Sequence, residues 1–280
     1  MMAKGKAAKP KVLIPTGYGL NCEAETAFGY MSLGAETKIV HINDIISKPG
    51  IMEDYHILAL IGGFVDGDHI ASGKVHANRL RYRLGDQLRS FIGDGKLVIG
   101  VCNGFQTMVK AGLLPAIGGD YGTQTITLTY NDSGKFEDRW VHLLANSKSG
   151  CVWTRNIGEL YLPIRHGEGK IRVADDGVLK KLRTGNQIAL YYMDPNTGKA
   201  AGQSDYPYNP NGSVDSIAGV CDPTGRIFGM MPHWEAFMSP YNHPSWTRLK
   251  AEGRLPKEGL GMQIARNGIG YVKETLLGNK

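Results

Sequence analysis

The stretch Lys96–Gly112, KLVIGVCNGFQTMVKAG, decides the reading of the fold. Lys96–Val101 is a short apolar run bounded by glycine, the signature of a buried strand. Asn103–Ala111 reads as a helix stopped by Gly112. The strand therefore runs directly into the helix through Gly100-Val101-Cys102-Asn103-Gly104. The same alternation extends upstream. KVLIP (Lys11–Pro15), TKIVHI (Thr37–Ile42) and YHILALI (Tyr55–Ile61) read as strands, and Glu23–Leu33 and Arg79–Ile92 as helices. Apolar strands alternating with helices imply an α/β domain built on a parallel sheet covered on both faces. In such sheets ligands gather at the carboxyl ends of the strands.

Beyond about residue 118 the rhythm changes. Thr123–Tyr130 and Arg139–Ala145 alternate like half-buried strands, and Tyr161–Ile171 is strand-like around a glycine break. Ile217–Cys221 and Arg226–Met231 flank the turn sequence Asp222-Pro223-Thr224-Gly225 and read as a hairpin. Asp194–Ser213 reads as a long loop. These segments predict an antiparallel strand addition to the first half. The expected organisation is a basic tail over residues 1–10 and one domain over 11–280, with a C-terminal extension from about residue 236. The end of that extension reads as a helix packing back on the domain.

Composition narrows the classes. The chain has 280 residues, 42% of them hydrophobic and 21% charged, as in an ordinary folded domain, which argues against disordered, collagenous and coiled-coil chains. The formal charge of +6 owes much to Lys4, Lys6, Lys9 and Lys11, so it is weak evidence for nucleic acid as a partner. No apolar run reaches the roughly 20 residues of a membrane span, and the N-terminus lacks the apolar core of a secretion signal. A cytoplasmic protein with reduced thiols is expected. The cysteines, Cys22, Cys102, Cys151 and Cys221, are scattered with no CxxC pair, so neither a disulfide framework nor a metal site is expected.

Cys102 sits at the strand-to-helix elbow in the pattern G-x-C-x-G, the cysteine form of a nucleophile elbow. Small residues on either side allow a turn tight enough to present the thiol, and the N–H of Asn103 at the helix start can meet a developing oxyanion. A lone cysteine in a core is more often inert; the elbow is what favours chemistry. A thiol nucleophile needs a base, and the base an orienting group. Met231-Pro232-His233-Trp234-Glu235 follows a strand and places His233 and Glu235 two apart, where Glu235 can hold the imidazole. An H-x-E sequence alone is more often packing. Coupled to the elbow it gives a Cys102–His233–Glu235 triad. Gly62-Gly63 ends the third strand on the same sheet edge; the pair serves a plain turn or lets backbone approach a substrate carbonyl.

These residues resemble class I (triad) glutamine amidotransferases, and more narrowly the glutaminase subunits of phosphoribosylformylglycinamidine synthase. The resemblance runs through Asn21-Cys22, GGFVDGDHIASG (Gly62–Gly73), GVCNGFQ (Gly100–Gln106) and GLLP (Gly112–Pro115). It continues in FEDRWVHL (Phe136–Leu143), IRHGEGKI (Ile164–Ile171), NPNGSVDSIAGV (Asn209–Val220) and GMMPHWE (Gly229–Glu235). GVCNGFQ together with HGEG is specific to this branch. The resemblance implies a three-layer, mostly parallel, flavodoxin-like sheet with helices on both faces. It implies that Cys102 attacks the side-chain amide of L-glutamine, that His233 shuttles the proton and that Glu235 orients His233. It implies that Gly63 and Asn103 N–H groups bind the oxyanion and that Gln106 helps hold the substrate. No metal or cofactor is implied for this chain. The ammonia would pass to a synthetase subunit that uses ATP and magnesium, with a small third subunit as a further partner; no P-loop is present in this sequence. Trp234 stands where the family commonly has proline, with the His–Glu spacing kept.

Competing readings are a cysteine hydrolase acting on another amide, a glutaminase subunit serving a different amidoligase, and a non-catalytic subunit that keeps the fold. Retention of Cys102, His233 and Glu235 speaks against the last. His166 reads as a structural loop histidine, or, as the resemblance implies, as part of a loop that meets the synthetase or borders the glutamine site. His69 and His76 read as structural, Cys151 and Cys221 as core in strand-like segments, and Asp66 and Asp68 as turn-forming. Cys22 has no visible base partner in the sequence.

Overall fold

Four parallel strands in the first half of the chain follow from the apolar runs. β1 (Lys11–Thr16) leads through α1 (Glu23–Ser32) to β2 (Glu36–His41). α2 (Ile42–Ser47) leads to β3 (Ile57–Leu60), and α3 (Lys74–Arg83) and α4 (Gly85–Gly93) lead to β4 (Leu97–Val101). α5 (Asn103–Lys110) starts immediately after the elbow. The computed structural model describes residues 8–278, so residues 1–7 of the expected basic tail, with Lys4 and Lys6, lie outside the described residues.

The second half contributes β5 (Ile126–Thr129), β6 (Glu137–Ala145), β7 (Glu159–His166), β8 (Lys170–Val173), α6 (Asp176–Thr184), β9 (Ile188–Asp194) and β10 (Lys199–Ala200). β11 (Ile217–Cys221), β12 (Ile227–Met230), α7 (Trp246–Ala251) and α8 (Met262–Tyr271) complete it. One ten-stranded sheet runs in the order β2-β1-β3-β4-β12-β11-β9-β6-β7, with β10 paired to β9; β5 and β8 form a separate ribbon. β2, β1, β3, β4 and β12 are mutually parallel. From β11 onward every pairing is antiparallel. The antiparallel addition thus continues the same sheet.

Every residue of β3, β4, β11 and β12 is buried. Successive side chains point to opposite faces, so both faces of the centre are covered. α1 packs on β1, β2 and α8, while α5 packs on β4, β12 and α3. The C-terminal α8 docks through Ile264, Ala265 and Ile269, and Asn267 Nδ2 donates to the carbonyls of Trp153 and Arg155.

Several elements depart from the sequence expectation. The helix expected over 79–92 is two helices that break at Leu84, which leaves helical geometry with φ −132°. The strand read over 161–171 is β7 and β8, separated at Gly167-Glu168-Gly169. α6 and β9 were not anticipated. Cys221 ends β11, whereas Cys151 lies in a loop; both are buried. The long segment 194–213 is irregular apart from β10, yet it is tied down by buried polar side chains. Asn211 Nδ2 donates to Gly169 O and Tyr192 Oη, and Ser213 Oγ accepts from Ile171 N. This answers where the loop's polar groups are satisfied.

A side chain at Gly268 would meet the buried Trp153 indole, its Cβ falling 2.4 Å from the ring. Gly268→Val should therefore cost about 1–3 kcal/mol in chemical denaturation through overpacking. Gly270→Ala, with open space around it, should be neutral or stabilising by up to about 1 kcal/mol.

Candidate active site

Strand pairing assembles the site. β12 lies beside β4 in parallel, with Gly229 opposite Gly100 and Met230 opposite Val101. The chain leaving β4 at Cys102 and the chain leaving β12 toward His233 therefore emerge side by side. Cys102 N donates to Met230 O at 2.8 Å. β3, on the other flank of β4, ends at Gly62-Gly63 on the same edge. The turn after β1 folds back onto it through a bridge between Leu20 and Gly63.

Cys102 has φ 51° and ψ −107°, a conformation in which non-glycine residues are rare. Such strain costs on the order of 1–3 kcal/mol and persists only where the surroundings enforce it. Here they do. A Cβ on Gly100 would sit 2.4 Å from Met108 Sδ, and one on Gly104 only 2.0 Å from Leu60 O. Helix α5 is thus pressed against β3 and β4 as closely as backbone allows. The thiol is 5% exposed and its Sγ lies 3.4 Å from Arg165 O at the end of β7.

His233 is anchored by its own N–H, which donates to Pro163 O at 2.8 Å. Its Nδ1–H donates to Glu235 Oε1 at 2.6 Å, and both side chains are buried. A carboxylate only accepts, so this bond fixes the tautomer. Burial pushes the imidazole down, but the Glu235 carboxylate and then the sulfurs of Cys102 and Cys22 outweigh it and hold the ring well above its ordinary value. Trp234 does not disturb the pair. Its indole is buried, edge-on to Tyr30 at 5.3 Å and packed over Gly29 of α1.

Asn103, Gln106, Asp68 and Glu168 form a hydrogen-bonded base under the elbow. Asn103 Oδ1 accepts from Val65 N, and its Nδ2 donates to Asp68 Oδ1 and to Gln106 Oε1. Gln106 Nε2 donates to Glu168 O at 2.7 Å, so both ends of that amide are engaged within the protein. The Glu168 carboxylate accepts from Ser72 N, and Lys110 Nζ donates to Ser72 O and lies 3.7 Å from Glu168. Burial pushes the Lys110 amine down, opposed by Glu168 and Asp68. Asp66 and Asp68 both have positive φ, as turn formers do. Both carboxylate oxygens of Asp66 also accept from Arg79 Nη1.

His166 is buried against the site, its Nδ1 3.1 Å from Asn131 Oδ1. His76 is buried among α3 contacts and His69 is exposed. Sequence reasoning missed the Lys110–Glu168–Ser72 network, whose members are far apart in the chain. It also missed the base beside Cys22. The thiol of Cys22 lies against the His233 ring, with Gly62 packed between them and the backbone. The expectation of no base partner is therefore corrected. The signal was the placement of Asn21-Cys22 after β1; the Leu20–Gly63 bridge that brings it over the site could not be read locally.

Burial first, and then the charge of His233, hold His166 down to about 3; burial does the same for His76, to about 4. Below the ordinary histidine value near 6.5 the unfolded chain binds protons that these folded groups refuse, so stability falls as the pH drops toward those values. Replacing His166 with Gln should flatten the fall in unfolding free energy by about 1.4 kcal/mol per pH unit between about pH 6 and pH 4. Denaturant titration across that range measures the slope, whatever the variant's absolute stability.

Comparison with known proteins converges on one family. The model of the CobB/CobQ-like glutamine amidotransferase domain matches residues 9–272. The phosphoribosylformylglycinamidine synthase subunit PurQ of Dehalococcoides mccartyi is 43% identical over 267 residues, covering 95% of this chain and 99% of that protein. The protein of the same name from Methanococcus maripaludis is also 43% identical, covering 95% of this chain and 98% of its own. Among solved structures, a chain of PurLQS from Thermotoga maritima superposes with a TM-score of 0.68 at 25% identity, covering 95% of this chain and all of that one.

Proposed function

The chain belongs to the CobB/CobQ-like glutamine amidotransferase family, and from that premise we infer that it is the glutaminase subunit of a phosphoribosylformylglycinamidine synthase. It hydrolyses L-glutamine to glutamate and ammonia. The ammonia goes to a synthetase subunit that converts formylglycinamide ribonucleotide to formylglycinamidine ribonucleotide in purine biosynthesis. ATP and magnesium belong to that synthetase, a small third subunit completes the assembly, and the reaction is cytoplasmic. Similarity to relatives of that name over nearly their whole length supports the assignment. Among the described residues no helix is long and apolar enough to cross a membrane.

The observation that carries the chemistry is the 2.6 Å Glu235–His233 bond lying against the thiol of a strained elbow cysteine. Cys102 Sγ gives its proton to His233 Nε2 and attacks the glutamine side-chain carbonyl carbon. N–H groups of Gly63 and Asn103 receive the oxyanion; the latter heads α5, where helix N–H groups lack intrahelical partners. The carbon–nitrogen bond breaks as His233 passes a proton to the departing nitrogen, leaving a γ-glutamyl thioester and ammonia. His233 then takes a proton from water, whose oxygen attacks the thioester and expels Cys102. Glu235 keeps Nδ1 protonated throughout and stabilises the imidazolium. Gln106 supports the glutamine pocket by fixing Asn103 on one side and the Glu168 turn on the other.

Exposed apolar side chains on the loops around the elbow support docking of the synthetase. Phe64 follows the Gly62-Gly63 turn and stacks on Phe136 at 6.0 Å, and Ile70 is 88% exposed on the loop that carries Asp68. Such exposed apolar groups suit a protein interface.

Cys102→Ala should abolish glutamine-dependent synthesis by the assembled complex while ammonia-dependent synthesis stays within about twofold of wild type, and His233→Asn should cost several orders of magnitude in glutaminase kcat. Loss of both activities in a folded, assembled Cys102→Ala complex would refute the division of labour. Phe136→Asp should weaken assembly tenfold or more by titration calorimetry, as for an anchor at an interface. Unchanged affinity would remove this rim from the docking surface.

A further inference from the structure

The second cysteine beside His233 has no part in the amide hydrolysis set out above, and its position gives the site another chemistry. Cys22 Sγ, a ring nitrogen of His233 and a carboxylate oxygen of Glu235 all lie within 4.8 Å of one another. The sulfur of Cys102 meets the same imidazole. Glu235 already occupies Nδ1, so the nitrogen left over is Nε2, which is buried and has no hydrogen-bond partner. Two thiols therefore flank one imidazole whose Nε2 is unpaired. A carboxylate on the far nitrogen of a histidine is the arrangement that orients metal-ligating imidazoles and raises their basicity.

We propose that Cys22 Sγ, Cys102 Sγ and His233 Nε2 form an inhibitory site for a thiophilic divalent cation, with Zn2+ as the fitting ion. Binding converts both thiols to thiolates, releases their two protons to solvent and leaves His233 neutral, so the nucleophile and its base are consumed together. The fourth tetrahedral position is left to water. Zinc–sulfur and zinc–nitrogen distances of about 2.3 and 2.0 Å put tetrahedral ligand atoms about 3.5 Å apart. Cys22 Sγ and the His233 nitrogen, within 4.8 Å of one another, close by up to about 1.3 Å on binding, and Cys102 Sγ turns in beside them. Cys22 lies at the start of α1 and is partly exposed, and it makes that movement by giving up the 3.4 Å bond from its thiol to Asn21 Oδ1. Soft sulfur ligands select zinc or cadmium over magnesium, which demands oxygen donors. The site is thus blind to the magnesium expected to serve the synthetase.

The binding claim stands on these side chains alone, whereas its inhibitory consequence rests on the glutaminase reading. The full, reduced chain is titrated with Co2+ and then with Zn2+ as competitor. Wild type should bind one Co2+ with a thiolate-to-metal charge-transfer band that Zn2+ abolishes. Cys22→Ser and Cys102→Ser should each weaken binding tenfold or more and reduce that band, and Cys22→Ala provides a second variant should serine perturb the start of α1. In the assembled complex, Zn2+ should suppress glutamine-dependent synthesis, a chelator should restore it, and Cys22→Ser should raise the half-inhibiting Zn2+ concentration at least tenfold relative to each protein's own uninhibited rate. Absence of a thiolate band in wild type, or Cys22 variants that bind metal as tightly as wild type, would overturn the site. Inhibition reversed by a thiol reductant but not by a chelator would overturn it in favour of a disulfide. A chain that binds Co2+ through both cysteines yet has no glutaminase activity would keep the site and refute the glutaminase reading.

Discussion

The parallel pairing of β12 with β4 is the constraint on which the rest depends. It is a short ladder of two four- to five-residue strands, yet it joins segments that lie far apart in sequence and ends both at one edge. Because Met230 sits opposite Val101, the next residues on each strand leave the sheet together. One of them is the elbow cysteine; the other leads through Met231 and Pro232 to His233. A register slip would turn alternate side chains to the wrong face and separate the two. Complete burial of both strands makes such a slip expensive.

Tight packing on one side and hydrogen bonding on the other then hold the cysteine where the sheet delivers it. The close approach of α5 to Leu60 O leaves no room for a Cβ at Gly104, and that compression sustains the unusual backbone of Cys102. Below the elbow, the side chain of Asn103 ties α5 to Val65 and Asp68, and Gln106 ties it to Glu168. Elements from three parts of the chain thus share one polar network whose members are mostly satisfied within it. A network of this kind specifies a single arrangement because any broken bond leaves a buried polar group unpaired.

Much of this was legible locally. The strand-to-helix junction at Gly100–Gly104 is a local pattern, and so are the flanking apolar runs; β1, β4, β11 and α5 lie almost where their residues indicate. His233 and Glu235 could be paired because residues two apart in extended backbone share a side. What could not be read locally depended on distant partners. The break at Leu84 occurs within a stretch whose apolar spacing is continuous. The position of Cys22 depends on the Leu20–Gly63 bridge. The polar loop 194–213 looks unstructured by composition, but Asn211 and Ser213 are buried because β8 and the turn before it supply partners, and Asn209 is buried because its amide binds Ser213 O within the loop. The family resemblance, by contrast, rests on motifs spread along nearly the whole chain, which is why it named a reaction that periodicity could not.

The antiparallel half of the sheet is more than an extension of the core. β7 delivers Arg165 O to the thiol of Cys102 and Pro163 O to the backbone of His233, so it touches both partners of the constellation. The turn after it is held from below by Gln106 and from the side by Asn131 and Asn211. On its outer surface Phe136 packs against Gly167 and stacks on Phe64, which belongs to the loop beyond Gly63. The two loops that close over the cysteine are therefore linked to each other by an exposed aromatic pair and to the elbow by buried amides. A surface that binds across Phe64 and Phe136 acts on both loops at once, through contacts that reach Asn103 and Cys102 within a few residues. Such short, packed and hydrogen-bonded connections are the kind through which binding at one place changes geometry at another.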